Sequence, residues 1–365
     1  MLEAARGWIS SWAALRTTFQ HGGHGGCEHQ KKNSVKKHSE FRGRRFAGFL
    51  RDLRVPMCLV LSGALSCARS DKATIEGPLV VYTAGSLARP MRAALDSFAA
   101  RTGTEYQLES AGSLETARKL TELGKIPDVI ALADEDVFPK VLMPAHATWY
   151  VRFAENRIVL AYTDRSQFSA EIDSTNWWQV LQRSGLEIGR SNPDLDPAGY
   201  RTLMVFQLAE RHYGNAGLAA ALEKAANPRN MRPKEIELVA LLESGDLDYA
   251  WFYESMARAS GMKYVQLPAS MDLSSADERA TYATATVRVI GASARDTVTM
   301  LGAPIRYAFS IPLKASHPAL GERFAEFLLT DGRKALEGAF LATLPDPDAV
   351  GTAVPTSVQS ALGKR

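Results

Sequence analysis

Two short segments place a serine directly after a glycine where a strand pattern gives way to a helix pattern: Ala84-Gly85-Ser86-Leu87 and Ser110-Ala111-Gly112-Ser113. Glycine lets backbone approach a ligand closely, and serine offers a hydroxyl. The start of the following helix supplies unpaired N–H groups at the positive end of its dipole. Taken singly, each serine also reads as a plain helix N-cap. Two such turns at the ends of neighbouring parallel strands converge on one crevice, the usual ligand position in open α/β sheets. Neither has the G-x-G-x-x-G or GKS/T spacing of a nucleotide site. The chemistry on offer is hydrogen-bond donation, from Ser86, Ser113 and the backbone at Gly85 and Gly112, to a small anion.

Three later segments add other groups. In Asn192-Pro193-Asp194-Leu195-Asp196-Pro197-Ala198-Gly199-Tyr200-Arg201, Asp196 followed by Pro197 is an N-cap with a first-turn proline. The same geometry aims the amides of Ala198 and Gly199 at a bound anion. Arg232-Pro233-Lys234-Glu235-Ile236-Glu237 opens another helix, where first-turn carboxylates offset the dipole. Asp248 to Tyr253 (DYAWFY) alternates with period two and sets Tyr249, Trp251 and Tyr253 on one side, as a core edge or as ligand contacts.

The elements that must position these groups follow from hydrophobic period. Leu79 to Thr83 reads as a buried strand, and Ala88 to Arg101 as a helix with Met91, Leu95 and Phe98 on one face. Tyr106 to Glu109 is a second strand, Ser113 to Leu123 a helix closed by Gly124, and Asp128 to Ala133 a third strand. Arg157 to Tyr162 opens a second set: a helix near Asn176 to Arg183, a long helix after Pro197, another from Pro233 to Ser244, and the Asp248 to Tyr253 strand. Ile305 to Pro312 is strand-like again, and a terminal helix covers Pro318 to Gly338. The alternation predicts an α/β fold of mostly parallel sheets with helices on both faces. No repeat or long linker parts the two sets, so two lobes joined by crossing strands fit better than independent beads.

Composition narrows the function. The chain has 365 residues, 46% hydrophobic and 23% charged, with a net charge of +3. Residues 1–70 hold 12 Lys and Arg against 4 Asp and Glu, and the remainder 31 against 36. The body is therefore mildly acidic, which argues against nucleic acid as a partner. Cys27, Cys58 and Cys67 all precede residue 71, so the body has no disulfide or thiolate metal site. Its three histidines, His146, His212 and His317, lie in contexts unrelated to either serine, and there is no G-x-S-x-G elbow. A hydrolase reading thus lacks support.

Residues 1–40 show no apolar period and read as a disordered or mis-started leader. Within residues 41–66, a basic run at 42–54 precedes the apolar VPMCLVLSGALS, which is shorter than the ~20 residues of a membrane span, the shape of an export signal. Ala64-Leu65-Ser66-Cys67 followed by a polar tether (67–77) resembles a bacterial lipoprotein signal, in which Cys67 becomes the lipidated first residue.

In order along the chain, AGSL, ESAGS, PDVIALAD, NWW, SNPDLDPAGYR, RPKEIELVALLESGDLDYAWFYES and IRYAFSIP resemble the tungstate-type branch of the molybdate/tungstate-binding components of ABC importers. The resemblance runs from about Leu79 to about Val354. It implies the class II periplasmic binding protein fold, two α/β lobes with mixed, mostly parallel sheets joined by crossing hinge strands. Lobe I would cover 78–160 and 307–355, lobe II 161–306, and a tail 356–365, with the hinge near Tyr162 and Ile305 to Pro312. It further implies that Ser86 and Ser113 are hydroxyl ligands and that Asp196 and Glu235 approach the tungsten or molybdenum centre itself. Tyr253, or less directly Tyr249, matches the family's site tyrosine. Ala198 stands where the branch's DPCGYR has cysteine. The expected protein is an exported, periplasmic or cell-surface monomer with no cofactor and an ABC permease as partner. Sulfate, phosphate or ferric iron in the same fold are the rival ligands.

Overall fold

The computed structural model describes residues 77–363, which belong to one compact unit. The leader, the export signal, Cys67 with its tether up to residue 76, and the last two residues of the tail lie outside the described residues. In chain order the strands are β1 (Leu79–Ala84), β2 (Tyr106–Ala111), β3 (Val129–Leu132), β4 (Trp149–Glu155), β5 (Ile158–Tyr162), β6 (Ile188–Ser191), β7 (Met231–Arg232), β8 (Tyr249–Tyr253), β9 (Lys263–Gln266), β10 (Thr286–Ile290), β11 (Thr297–Leu301), β12 (Arg306–Ser310) and β13 (Ala342–Gly351).

Lobe I is built on a six-stranded sheet in the order β13-β4-β12-β3-β1-β2, and lobe II on a five-stranded sheet in the order β7-β6-β8-β5-β9; β10 and β11 form a separate hairpin. The two-lobed α/β class is the one expected. Within the two sheets, four strand pairings are parallel and five antiparallel. The antiparallel share exceeds expectation because strands that cross between lobes return against their neighbours. Apolar alternation explains the seating of β8. Tyr249, Trp251 and Tyr253 face the main core, whereas Ala250 and Phe252 face a smaller one with Leu238 and Leu242.

The change of sheet falls at Asn156-Arg157, between β4 and β5, and again just before β12. The Ile158 amide donates to the Asp272 carbonyl (2.9 Å) and that of Ile305 to Leu273 (2.7 Å), which ties the two crossings together. Tyr162, expected at the hinge, instead lies at the far end of β5 opposite Tyr249.

The helix Ala88–Thr102 buries Met91, Leu95 and Phe98 and ends on Gly103 in the left-handed region at φ +72°. The helix Ser113–Thr121 stops two residues before the expected Leu123. The helix expected from Pro233 begins only at Glu237; before it the chain makes tighter turns, with the Glu237 and Leu238 amides on the Lys234 and Glu235 carbonyls. The terminal helix is two, Pro318–Leu329 and Arg333–Gly338, broken where the Gly332 amide folds back to the Phe327 carbonyl at 2.8 Å.

The lobes are closed on each other. The amides of Leu114 and Glu115, in lobe I, donate to the Leu195 carbonyl of lobe II at 3.1 and 3.3 Å. Arg118 reaches the Asp194 carbonyl (2.8 Å) and Thr121 the Ala292 carbonyl (2.7 Å). No helix among the described residues is long and apolar enough to cross a membrane.

Candidate functional site

The two Gly-Ser turns meet at the inner ends of β1 and β2, as their position after adjacent parallel strands requires. Ser86 lies in a single 3-10 turn, Gly85–Leu87, ahead of the first long helix, and Ser113 lies inside the first turn of its helix, whose N-cap is Gly112. Neither side chain caps a helix. Ser86 Oγ accepts a hydrogen bond from the Tyr307 hydroxyl at 3.0 Å. Tyr307 in turn accepts from Asn156 Nδ2 at 3.1 Å, so its own proton is committed to Ser86. Ser113 Oγ accepts from the Ala133 amide at 3.0 Å. From lobe II, Tyr253 ends β8, and its hydroxyl accepts from Arg201 Nη1 at 2.6 Å. All three hydroxyl-bearing residues are buried. Each oxygen is held by a fixed donor, which leaves its hydrogen to point elsewhere.

The carboxylates come from lobe II. Asp196 is the N-cap of the helix Pro197–Tyr213. Its Oδ1 receives the Ala198 amide at 3.4 Å and its Oδ2 the Glu235 amide at 2.9 Å. Glu235 Oε2 accepts from the Tyr253 amide at 3.0 Å, and Oε1 is buried with no hydrogen-bond partner among the described residues. Burial pushes the Asp196 carboxyl up to about 6, against the lowering effect of its two amide donors. Glu235 is held well above the usual carboxylate range by burial and then by the neighbouring Asp196 charge. Burial likewise raises the Tyr253 phenol well above its usual value, although Arg201 opposes it.

The five expected ligand residues are joined through shared partners: Asp196, Glu235 and Tyr253 by direct hydrogen bonds, Ser113 through Ala133 and Arg201, and Ser86 through the Tyr307 ring, edge-on to that of Tyr253 at 5.7 Å. Tyr249, the alternative tyrosine, sits about 13 Å back along the strand, and its hydroxyl donates to the Gln167 carbonyl at 2.5 Å. The Ala198 and Gly199 amides, expected as free donors, are occupied by Asp196: Ala198 by its carboxylate and Gly199 by its carbonyl at 2.9 Å. An Asp N-cap satisfies the very amides a helix start would otherwise present to a ligand. A Cβ at Gly199 would meet the Ser191 carbonyl at 2.5 Å, so this glycine serves close packing. Gly112 serves close approach between lobes, whereas Gly85 has room for a Cβ. A Cβ on Gly85 would lie 3.6 Å from that of Lys234, and one on Gly112 would fall on the Leu195 carbonyl.

Sequence reasoning missed Arg201, Asp134 and Tyr307. Arg201 carries a usable signal, a cation only four residues beyond the helix-starting Pro197, near the dipole end where a positive charge is disfavoured. Asp134 closes the apolar PDVIALAD run, and nothing local marks Tyr307.

Residues 79–341 match the profile of the bacterial extracellular solute-binding protein family. A solute-binding protein of Petrotoga mobilis is 38% identical over 278 residues, covering 76% of this chain and 87% of that protein. The molybdate/tungstate-binding protein WtpA of Pyrococcus abyssi is 31% identical over 304 residues, covering 76% and 87%. Among solved structures, the sulfate-binding protein SubI of Mycobacterium tuberculosis superposes with a TM-score of 0.52 at 13% identity, over 78% of this chain and 89% of that one, a likeness of fold. With its two closed lobes and the polar set between them, the chain belongs to the bacterial extracellular solute-binding proteins.

Proposed function

We propose that this protein is the substrate-binding component of an ABC importer that captures tungstate or molybdate between its lobes and delivers it to a membrane permease. The observation that carries the reading is the set of three buried hydroxyls, Ser86 and Ser113 from lobe I and Tyr253 from lobe II, each accepting from a fixed partner and so turned into a donor. Donors preset in a dry cleft fit the oxygens of an anion, and each charge-assisted bond is worth about 1.5–3 kcal/mol. The Arg201 guanidinium on the Tyr253 oxygen favours the same reading over ferric iron, a cation that would have to compete for that oxygen.

Asp196 and Glu235 supply the choice among oxyanions. Two carboxylates beside a dianion repel it unless they are protonated or bonded to its central atom. Tungsten and molybdenum expand their coordination readily, and the unpartnered Oε1 of Glu235 is an oxygen available for that bond. Sulfur and phosphorus do not, so sulfate and phosphate meet only repulsion. The homology to the Pyrococcus abyssi protein supports this ligand class. The receptor acts as an exported monomer, tethered through Cys67.

Isothermal calorimetry on protein freed of bound anion by unfolding and refolding tests the proposal. Tight one-to-one binding of tungstate or molybdate with no heat from sulfate or phosphate is expected. Silence toward all four anions in folded protein would overturn it.

A further inference from the structure

The helix Pro197–Tyr213 carries two side chains of lobe II across to lobe I. Arg201 is 4% exposed and Asp134, in the segment after β3, is 7% exposed. Arg201 Nη2 lies 3.0 Å from Asp134 Oδ2, and the Tyr200 hydroxyl donates to the same oxygen. The other Asp134 oxygen accepts the Asp136 amide at 3.0 Å. Arg201 Nη1 is shared between the Ala133 carbonyl of lobe I and the Tyr253 hydroxyl of lobe II, each at 2.6 Å. Ala133 is also the residue whose amide holds Ser113. One guanidinium therefore joins the residue that orients a lobe I hydroxyl to the lobe II hydroxyl itself. Parting the lobes would strip it of both lobe I partners.

We propose that Asp134 and Arg201 are a latch between the lobes that assembles the hydroxyl set on closure and governs release of the bound oxyanion. They are positioning residues, acting through Tyr253 and Ala133. The inference rests on the cleft being the oxyanion site proposed above. Its physical basis is asymmetric: in the open form both charges are hydrated, whereas in the closed form a buried guanidinium without its carboxylate is left uncompensated. Loss of the pair therefore weakens the closed form alone. Encounter with the anion happens in the open form, so the effect falls on dissociation.

The test is stopped-flow tungstate binding, followed by protein fluorescence, with small-angle scattering of the saturated protein. Asp134→Asn keeps the shape and an acceptor for Tyr200. It is expected to raise koff at least tenfold, to leave kon within about threefold, and to enlarge the radius of gyration of the tungstate-saturated form. Tyr200→Phe, which keeps the ion pair, is expected to raise koff by less, and Arg201→Lys by at least as much as Asp134→Asn. If Arg201→Lys does not fold, the other two variants decide. A purely structural role would lower the ligand-free Tm of Asp134→Asn without splitting the two rate constants. Wild-type protein that binds tungstate, paired with an Asp134→Asn variant that releases it at the wild-type rate, overturns the latch alone. Wild-type protein that binds neither tungstate nor molybdate overturns the cleft assignment and the latch with it.

Discussion

The two halves of the cleft are built from different materials. Lobe I reaches it with Ser86 and Ser113 on turns after parallel strands, and the groups that hold them, the Tyr307 hydroxyl and the Ala133 amide, are neutral. Lobe II reaches it with Asp196, Glu235 and Arg201, all buried, around the Tyr253 hydroxyl. On the proposed function the difference would separate two tasks: neutral donors would accept any tetrahedral oxyanion of suitable size, whereas buried charges would decide which central atom can stay. Affinity for oxyanions in general should therefore reside in lobe I, and discrimination in lobe II.

The largest effect should come from keeping the halves apart. Gly112→Ala would set a methyl group on the Leu195 carbonyl of the opposite lobe, a backbone atom that cannot swing away. The clash exists only on closure. We expect a loss of about 3 kcal/mol in binding, two orders of magnitude in Kd for every oxyanion, with an unchanged ligand-free Tm. A Gly112→Ala variant with wild-type affinity would mean that the closed form is not the binding form.

Next come the two halves one at a time. Ser113→Ala removes one donor, and calorimetry should show tungstate and molybdate weakened by about ten- to a hundredfold, the cost of one bond to a charged group. The Asp196→Ala, Glu235→Ala double variant should weaken tungstate by a similar factor yet begin to bind sulfate. If the double variant still ignores sulfate, selectivity belongs to lobe I geometry and the division between lobes fails.

The same contrast governs what could be read from sequence. Lobe I's serines follow glycines at strand-to-helix junctions, a local signal, and the strands and helix bearing them fall within two residues of their expected bounds at nearly every end. Asp196 is legible as a cap for the same reason. Arg201, Asp134 and Tyr307 were not, because what makes them matter is a partner far along the chain: Asp134 meets Arg201 across 67 positions and Tyr307 meets Ser86 across 221. The fates of the Ala198 and Gly199 amides were hidden likewise, since a cap and an anion site present identical local sequence. Strands β4, β6, β7, β9, β10, β11 and β13 were not expected; of these β13 is a polar, partly exposed stretch with no apolar run, whereas β10 and β11 carry a period-two alternation that was overlooked.

pH sharpens the lobe II half. Asp196 titrates near 6 in the folded protein, above its unfolded value, so the folded state holds this proton more tightly. Its stabilising contribution is complete below about pH 4 and is lost as pH rises through about 6. The ligand-free Tm should therefore fall by about 5 °C between pH 4 and 7. Tungstate that bonds to the carboxylates needs both ionised, so its affinity should move the opposite way, tightening as pH rises, with Asp196 and the likewise raised Glu235 each contributing up to about tenfold per pH unit. Asp196→Asn should reduce both slopes. Parallel slopes in the wild type, with Tm and affinity falling together, would show that the carboxyls bind as acids rather than as metal ligands.

The smallest expected effect probes how lobe I presets its donors. Tyr307→Phe removes the hydroxyl that fixes Ser86 but leaves Asn156 its bond to Ser255 Oγ at 2.7 Å, so the crossing between lobes stays tied. Two neutral hydrogen bonds are lost, and only the one to Ser86 bears on the anion; at about 0.5–1.5 kcal/mol, Kd should rise by roughly two- to tenfold for tungstate and molybdate alike. The informative measurement is the double-mutant cycle with Ser86→Ala. If Tyr307 acts by aiming the Ser86 proton, its removal costs nothing once Ser86 is gone, and the coupling energy equals the whole single-variant effect. Additive losses would instead mean that Tyr307 touches the anion itself and belongs among the lobe I donors.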